Sequence, residues 1–419
     1  MSFETISVIG LGYIGLPTAA MFASRKKKVI GVDVNKHAVD TINRGEIHIV
    51  EPELDIIVHA AVTEGYLKAT TTPEPADAFL IAVPTPFKNN DSELPEPDLT
   101  YIESASKAIA PVLKKGDLVI LESTSPVGAT EQMSEWLAEA RTDLTFPQQS
   151  GENSDIRIAH CPERVLPGHV VRELVENDRV IGGMTRKCSD ASIELYKSFV
   201  KGECVTTNAR TAEMAKLTEN SCRDVQIAFA NELSVICDKL NIDVWELISL
   251  ANRHPRINIL QPGPGVGGHC IAVDPWFIVS KTPELSQLIH TARIVNDNKP
   301  EWVINKVKLA VADFLLKYPV KTAKDVTIAC YGLSFKANID DLRESPALNI
   351  TNEIASLHSG KVLAVEPNIE SFDALNSVEF TSFSSAKEAA DIHVLLVEHK
   401  EFQESDVPKG IVIDTKGIW

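Results

Sequence analysis

The sequence lacks two features that would each indicate a different class of protein. None of its seven cysteines forms a C-x-x-C pair, so the pattern supports neither a disulfide framework nor a zinc or other metal site and indicates a reducing compartment. Basic side chains are in the minority, 41 against 58 acidic ones, giving a formal net charge of −17. This balance argues against nucleic acid or anionic lipid as a partner.

A hydrophobic run of spanning length is also missing. The most apolar stretch, residues 6–23, contains three glycines and a proline and follows Met-Ser-Phe-Glu instead of a basic segment. It therefore matches neither a signal peptide nor a transmembrane helix. We expect a cytoplasmic protein with no membrane partner, and 419 residues suffice for two or three domains with separate cores.

The N-terminus carries a strand pattern that leads into G-x-G-x-x-G. Gly10 suits a tight turn, Gly12 the close approach of a pyrophosphate, and Gly15 close packing of helix on strand. A second strand pattern ends at Asp33, where a carboxylate can accept from a ribose 2′-hydroxyl and repel a 2′-phosphate. This order of a strand, three glycines, a helix, a second strand and an acidic residue predicts a dinucleotide site that prefers NAD to NADP.

Strand and helix patterns alternate to about residue 200 and restart at about 324. Apolar runs at 77–83 and 118–122 predict strands of a parallel sheet covered on both faces. Thr85 and Thr124 follow these strands, where ligands bind such sheets, and are candidate cofactor neighbours or ordinary turn residues. The second pattern lacks the full glycine fingerprint. The predicted fold class is α/β, with two Rossmann-like doubly wound domains joined by a long central helix.

That central helix is predicted over residues 211–240, which contain neither proline nor glycine. Glu213, Lys216 and Asn220 share one of its faces and alternate with an apolar stripe, which suggests that they border a cleft. A helix of about 45 Å is longer than one small domain needs, so its stripe predicts a homodimer. The predicted domain boundaries are 1–200, 201–318 and 319–419.

The most informative stretch is Pro262-Gly-Pro-Gly-Val-Gly-Gly-His-Cys270. Its four glycines hold a thiol on backbone that only glycine adopts easily, and the loop amides could steady charge while the thiolate attacks a carbonyl. A buried structural cysteine is the plain alternative. A Cys–His hydrolase is another, although the neighbouring side chains of His269 and Cys270 point to opposite faces of extended backbone.

Seven ordered motifs make the chain resemble the UDP-glucose/UDP-N-acetylmannosamine dehydrogenase family over essentially its whole length. They are G-L-G-Y-I-G at 10–15, V-P-T-P at 83–86, S-T-S-P-V-G at 123–128, C-P-E-R-V-L-P-G at 161–168, A-E-M-A-K-L-x-E-N at 212–220, G-P-G-V-G-G-H-C at 263–270 and G-L-S-F-K…D-D-L-R-E-S-P at 332–346. The resemblance implies oxidation of the C6 alcohol of a nucleotide sugar to a carboxylate, using two NAD and one water. It also implies a homodimer whose active site is shared between subunits.

The resemblance further implies roles for individual residues. Cys270 resembles the nucleophile that captures the C6 aldehyde, Glu163 the residue that assists thioester hydrolysis, and Thr124 a contact to cofactor and water. The polar group around the reacting oxygen would be Lys216, Asn220 and Asp274. The implied cofactor contacts are Gly10, Gly12, Tyr13, Ile14, Gly15, Asp33, Thr85, Thr124 and Arg343. The implied substrate contacts are Arg164, Val165, Lys216, Asn220, Arg223, His254, Arg256 (from the neighbouring subunit), Gly267, Phe335, Lys336 and Lys416.

The chain departs from the glucose-oxidising branch of this family at two positions. Pro167 and Val273 stand where that branch has a glutamate and a lysine. This favours an acetamido sugar, UDP-N-acetyl-D-mannosamine, and a role in bacterial surface polysaccharide synthesis (enterobacterial common antigen). UDP-N-acetylglucosamine or UDP-glucose oxidation and a non-catalytic NAD-sensing protein are the alternatives. We expect residues 1–200 to hold NAD and residues 319–419 to hold the UDP-sugar, with chemistry in the cleft between them.

Overall fold

The structure is a computed structural model that describes residues 3–49, 51–89, 94–165, 168–268, 270–369 and 378–419. The chain divides into two compact units. Unit 1 comprises Met1–Thr218 with Trp276–Lys281, and unit 2 comprises Glu219–Pro275 with Thr282–Trp419. The three-domain boundaries proposed from the sequence stay a prediction.

Unit 1 is built on an eight-stranded sheet among the described residues. Its strands are β1 Thr5–Ile9, β2 Lys28–Val32, β3 Leu67–Thr70, β4 Ala78–Ile81, β5 Leu118–Leu121, β6 Arg157–His160, β7 Arg179–Gly183 and β8 Cys204–Asn208. Their order is β3-β2-β1-β4-β5-β6-β7-β8, and its first six strands follow the Rossmann order. The predicted α/β class is confirmed, but the sheet is not wholly parallel, because β7 runs antiparallel to β6.

Helices pack on both faces of this sheet. They are α1 Gly15–Ser24, α2 Lys36–Asn43, α3 Leu54–Thr63, α4 Thr100–Ile109, α5 Ala129–Ala140, α6 Pro147–Ser150, α7 Val170–Glu176 and α8 Arg186–Tyr196. Short 3₁₀ turns occupy Ala110–Val112 and Gly151–Asn153. Phe79 and Leu80, neighbours on β4, are both fully buried and belong to the cores on opposite faces. Burial on both faces explains why these strands read as apolar runs without polar alternation.

The predicted central helix is α9, Ala209–Leu240, and the boundary between the units falls within it at Thr218. The helices that follow are α10 Val244–Ala251, α11 Asp274–Lys281, α12 Gln287–Lys317, α13 Pro346–Leu357, α14 Phe383–Ala389 and α15 Lys400–Gln403, with a 3₁₀ turn at Ala323–Asp325. The sequence analysis did not identify α12, a 31-residue helix with Pro300 inside it.

A five-stranded parallel sheet lies in the described part of unit 2. Its strands are β9 Ile328–Tyr331, β10 Val362–Val365, β11 Glu379–Phe380, β12 Ile392–Leu395 and β13 Ile411–Asp414. Their order is β11-β10-β9-β12-β13, which repeats the order of the first five strands of unit 1. Ser345 caps α13 by accepting a hydrogen bond from the Leu348 amide, and Pro346 occupies the first position of the helix.

Candidate active site

The glycine turn of unit 1 joins β1 to α1, and one of its three glycines has free space beside its backbone. Gly10 has φ +90°, and a β-carbon there would lie 2.7 Å from the Ala82 carbonyl oxygen. A β-carbon on Gly15 would lie 1.8 Å from the Gly10 carbonyl oxygen. The protein's own backbone therefore requires glycine at both positions. Around Gly12 nothing lies within 4 Å of a β-carbon position, so its backbone is accessible to a ligand, as a pyrophosphate site at the start of α1 requires.

Asp33 follows β2 and fixes the same turn. One carboxylate oxygen accepts from the Leu11 amide at 2.8 Å and the other from the Asn35 amide at 2.8 Å. The carboxylate is thus oriented in advance, and each oxygen has a second lone pair for a ribose hydroxyl. Tyr13 and Ile14, between the turn and α1, are half-buried. These residues fit an NAD site, in which they would hold the adenosine ribose and the phosphates.

Two further loops meet at this edge of the sheet. The Thr85 hydroxyl, after β4, donates to the Thr124 carbonyl oxygen at 2.7 Å, and the Ser123 hydroxyl, after β5, donates to the Val83 carbonyl oxygen at 2.7 Å. Because the carboxyl ends of parallel strands meet at one edge, Thr85 and Thr124 lie on the same side of the sheet as the glycine turn. Their contacts with a cofactor stay a prediction.

Glu213 does not border a cleft, contrary to the expectation for its helix face. Its carboxylate accepts from the Gly128 amide at 2.7 Å, the Thr130 amide at 2.8 Å and the Thr130 hydroxyl at 2.6 Å. The side chain is buried and caps the N-terminus of α5. Lys216, one turn further along α9, is half-buried.

Glu163 follows β6 and lies among buried ionisable groups. It forms an ion pair with Arg179 at 2.8 Å, and its other oxygen accepts from the Arg164 amide at 2.8 Å. Arg179 begins β7, so the antiparallel pairing of β6 and β7 is what brings it to this edge. The sequence analysis missed Arg179, because the direction of β7 cannot be read from an apolar run. Val165, also half-buried, packs against the core of unit 1.

In unit 2 the structure brings three of the predicted residues together. The Cys270 carbonyl oxygen accepts from the Asp274 amide at 2.8 Å, which places the cysteine one turn before α11. The side-chain nitrogen of Asn220 donates a hydrogen bond to the Asp274 carboxylate. Cys270 is half-buried and Asp274 is buried. A helix N-terminus favours negative charge nearby, as thiolate chemistry requires. His269 lies outside the described residues.

Packing inside unit 2 is the main reason why the loop before Cys270 needs glycines. A β-carbon on Gly267 would lie 2.6 Å from the Glu344 carbonyl oxygen, and one on Gly265 would lie 2.9 Å from Pro346. One on Gly268 would lie 3.0 Å from the Phe335 ring, and that glycine has φ +78°. Protein atoms therefore occupy the space that side chains at these positions would need. The loop is therefore docked on the segment that carries Phe335.

Basic residues of unit 2 differ in their surroundings. Arg343 forms a two-point ion pair with Asp341, with its closest N–O distance 2.6 Å. Lys336 is exposed. Lys416 lies 2.7 Å from Glu398 and is close to the Gly263 position. Burial lowers the pKa of Lys416 to about 8.

The remaining implied substrate contacts lie on exposed parts of unit 2. Arg223 is exposed on α9. His254 and Arg256 are exposed on a loop that the Asn252 side chain closes through two hydrogen bonds to Ile259, at 2.7 and 2.9 Å. The structure does not bring these three residues to Cys270 by any contact that we observe in the described residues.

Unit 2 repeats the acidic position of unit 1 but fills it differently. Gly332 has φ +86° after β9, and Glu366 after β10 accepts from the Leu333 amide at 2.7 Å, as Asp33 does from Leu11. Glu366 is buried and also pairs with His399 at 3.1 Å. Protein groups therefore already occupy the Glu366 carboxylate. In unit 2 the residue at the position equivalent to Asp33 is not available to a ribose hydroxyl.

Three family models match the chain in succession. The NAD binding domain of the UDP-glucose/GDP-mannose dehydrogenase family matches residues 4–200, the central domain 210–298 and the UDP binding domain 329–419. The chain belongs to the UDP-glucose/GDP-mannose dehydrogenase family. The predicted NAD cofactor is thereby confirmed, and its contacts with individual residues of the glycine turn stay a prediction.

Relatives from this family cover the whole chain. UDP-N-acetyl-D-mannosamine dehydrogenase of Yersinia pestis is 67% identical, with 100% of both chains covered. NDP-N-acetyl-D-galactosaminuronic acid dehydrogenase of Ralstonia nicotianae is 64% identical, covering 100% of this chain and 97% of the relative. Among solved structures, UDP-D-ManNAc dehydrogenase from Pyrococcus horikoshii has a TM-score of 0.87 at 38% identity, covering 99% of this chain and 96% of that one.

The family membership fixes the reaction class. The chain is an NAD-dependent dehydrogenase of UDP-sugars, so the predicted enzyme class and the predicted family resemblance are both confirmed. Among the described residues, no helix combines the length and apolar character needed to cross a membrane.

Proposed function

We propose that the chain oxidises the C6 alcohol of UDP-N-acetyl-D-mannosamine to the carboxylate through a thioester on Cys270. The observation that carries the proposal is the group formed by Cys270, Asn220 and Asp274 beside the glycine-rich loop. It offers a nucleophile, a hydrogen-bond donor and a carboxylate in one place. Two full-length relatives at 67% and 64% identity are named for acetamido sugars, which supports this sugar class.

Each residue has a defined part in the proposed reaction. NAD, when bound, takes up one hydride in each of two oxidations. The Cys270 thiolate adds to the carbonyl carbon of the C6 aldehyde, so that the aldehyde cannot escape between them. Lys216 and Asn220 stabilise the charge that develops on the oxygen. The thiohemiacetal formed in this way becomes a thioester when it gives up the second hydride. Glu163 then takes a proton from the water that attacks the thioester, and the C–S bond breaks to release the carboxylate and the thiolate.

Product stoichiometry tests this reaction. We expect two NADH for each UDP-N-acetyl-D-mannosamine consumed and a uronate as the only sugar product. One NADH per sugar, with an accumulating aldehyde, would contradict the proposal.

The role of Cys270 is tested by substitution. Cys270→Ser should bind NAD normally but lose turnover by roughly a thousandfold or more, because a serine ester is formed and hydrolysed poorly. The matched control is Cys222→Ser, at an exposed thiol on α9, which should keep full activity. Full activity in the Cys270 variant would return this cysteine to a structural role.

The relative named for N-acetyl-D-galactosaminuronic acid supports a second candidate substrate. Epimers differ in one hydroxyl and thus in one or two hydrogen bonds, worth a few kcal/mol at most. The kcat/KM values for UDP-N-acetyl-D-mannosamine, UDP-N-acetyl-D-galactosamine, UDP-N-acetylglucosamine and UDP-glucose therefore decide between the sugars. The role in enterobacterial common antigen synthesis stays a prediction.

We infer that unit 2 binds the UDP moiety, with Lys336 and Lys416 as cationic donors. The engaged carboxylate of Glu366 and the UDP binding domain match at 329–419 both support this division. Lys336→Ala should raise the Kd for UDP and leave the Kd for NAD nearly unchanged. Equal losses for both ligands would contradict the division.

A further inference from the structure

A cluster of buried ionisable groups lies behind Glu163 in unit 1. One nitrogen of the Arg179 guanidinium is 2.8 Å from Glu163 and another is 3.9 Å from Glu122. The Tyr196 hydroxyl donates to the same Glu122 oxygen at 2.5 Å. Glu122, Arg179 and Tyr196 are at most 5% exposed, and Glu163 is 8% exposed. One guanidinium thus faces two carboxylates, of which the proposed reaction uses only Glu163.

The topology of the sheet makes this arrangement. Glu122 follows β5 and Glu163 follows β6, so both leave the carboxyl edge of the sheet. Arg179 joins them because β7 is reversed, and its guanidinium lies 4.5 Å from the centre of the Tyr196 ring, which α8 supplies. Cys161 completes the surroundings, with its sulfur 3.8 Å from Arg179. The groups that face Glu122 are therefore one cation, one carboxylate, one phenol and one thiol.

Their titration properties single out Glu122. Burial raises the pKa of Glu122 to about 7; the Arg179 charge and the Tyr196 hydrogen bond oppose this rise, and the Glu163 charge adds to it. Burial raises the pKa of Cys161 to about 12 and that of Tyr196 well above its ordinary value. Near neutral pH, Glu122 is therefore the group among these three that gains and loses a proton.

We propose that Glu122 is a positioning residue for thioester hydrolysis, because its protonation decides how fully Arg179 is paired with Glu163. This inference rests on the hydrolytic role of Glu163 in the proposed function. When Glu122 is protonated, Arg179 pairs with Glu163 alone. When Glu122 is ionised, two carboxylates share the guanidinium, and Glu163 is released to accept the proton of the attacking water. Hydrolysis accelerates as Glu122 loses its proton.

Three variants test the proposal through the pH dependence of kcat. In the unmodified enzyme, kcat should rise through about pH 7. Glu122→Gln keeps the shape of the side chain and its acceptor for Tyr196 but cannot ionise, so this rise should vanish and kcat at about pH 8 should fall roughly tenfold, less than the loss expected for removing a general base. Tyr196→Phe removes a hydrogen bond that favours ionised Glu122, so the rise should move to higher pH. Asp117→Asn, at a buried carboxylate beside the other end of β5, is the matched control and should keep the normal profile.

Rapid mixing gives a second measurement. If hydrolysis limits the Glu122→Gln variant, its thioester accumulates, and a burst of NADH should precede slow turnover while the KM for the UDP-sugar stays nearly constant. A purely structural effect would lower the rate at every pH with no burst, and a normal profile in both Glu122→Gln and Tyr196→Phe would also overturn the proposal. Failure of the proposed function is separate: it would appear in the unmodified enzyme as one NADH per sugar.

Discussion

At the scale of single residues, Asp33 combines two tasks that substitution can separate. Its carboxylate holds the Leu11 amide and, in an NAD site, also accepts from the ribose. Asp33→Ala removes both, so the Kd for NAD should rise roughly ten- to a hundredfold, or about 1.4–2.8 kcal/mol. Asp33→Asn keeps an acceptor for Leu11 but loses the charge that repels a 2′-phosphate. It should lose less NAD affinity and bind NADP better.

Titration of both Asp33 variants with NAD and with NADP checks this expectation. The control is Asp40→Asn, at an exposed carboxylate on the neighbouring helix α2, which should change neither Kd. Equal losses of NAD affinity in the two Asp33 variants, with no gain for NADP, would contradict the separation.

Glu366 predicts an acid-sensitive contribution to the stability of unit 2. Burial alone would raise its pKa, but hydrogen bonds from His399 and from the Leu333 and Asn368 amides outweigh burial and lower the pKa to about 2. A lowered carboxyl pKa stabilises the fold above the unfolded value of about 4.3, and this contribution is lost as the pH falls toward 2. Glu366→Gln should therefore cost about 1–3 kcal/mol at neutral pH and flatten the loss of stability between about pH 5 and pH 3.

Thermal unfolding of the unmodified chain and of Glu366→Gln, compared across that pH range, measures the effect. Glu379→Gln, at an exposed carboxylate on β11, supplies the control and should behave like the unmodified chain. Parallel stability curves for the unmodified chain and Glu366→Gln would show that the Glu366 charge contributes nothing.

Residues of the site were predictable where the signal is local. The glycine turn and Asp33 lie within one β-α-β pattern, and their spacing is tied to the chemistry of a dinucleotide. Arg179 and Glu122 were missed because their encounter depends on the reversal of β7, a long-range event. Helical periodicity predicts a cleft position for Glu213 and is wrong there, because it gives a face but does not say what packs against that face.

At the scale of elements, the sequence predicts a helix correctly where no proline or glycine interrupts the helical pattern. It fails to predict a helix that contains a proline. Helix α9 was recognised because residues 211–240 contain neither proline nor glycine. Helix α12 was not, since Pro300 lies in its interior, where proline ordinarily ends a helix. Tertiary packing outweighs that penalty here: Val303, Val307 and Phe314 of α12 are buried against the second sheet.

Asn231 links three elements of unit 2 and gives an element-scale prediction. Its side chain is fully buried; its oxygen accepts from the Gly263 amide at 2.9 Å, and its nitrogen donates to Asn296 of α12 at 2.8 Å. Asn231→Ala would leave both partners buried and unpaired, at a cost of about 2–4 kcal/mol. Because Gly263 begins the glycine-rich loop, kcat should fall as well.

Thermal unfolding and turnover of Asn231→Ala test this link. Glu232→Ala, at the exposed neighbour on α9, is the control and should change neither quantity. A stable Asn231→Ala protein with normal turnover would show that α9 does not hold the loop.

At the scale of the whole molecule, an exposed apolar face points to a second copy of the chain. Phe229, Ile236 and Leu240 of α9 are 52%, 44% and 60% exposed, and their spacing places them along one side of the helix. Large exposed apolar side chains in a row mark association surfaces. We therefore expect an isologous dimer through α9, and Phe229→Glu should shift the molar mass measured by light scattering toward that of a monomer.

A shared active site makes a stricter prediction than dimerisation alone. If Arg256 of one subunit serves the Cys270 of its partner, Arg256→Ala and Cys270→Ser should each be inactive alone. Equal mixing with subunit exchange makes half of the dimers hybrids, each with one intact site, so about a quarter of full activity should return. Mixing Cys270→Ser with a chain carrying both substitutions offers no intact site and is the control. If native mass spectrometry detects hybrids but activity stays absent, Arg256 acts within its own subunit.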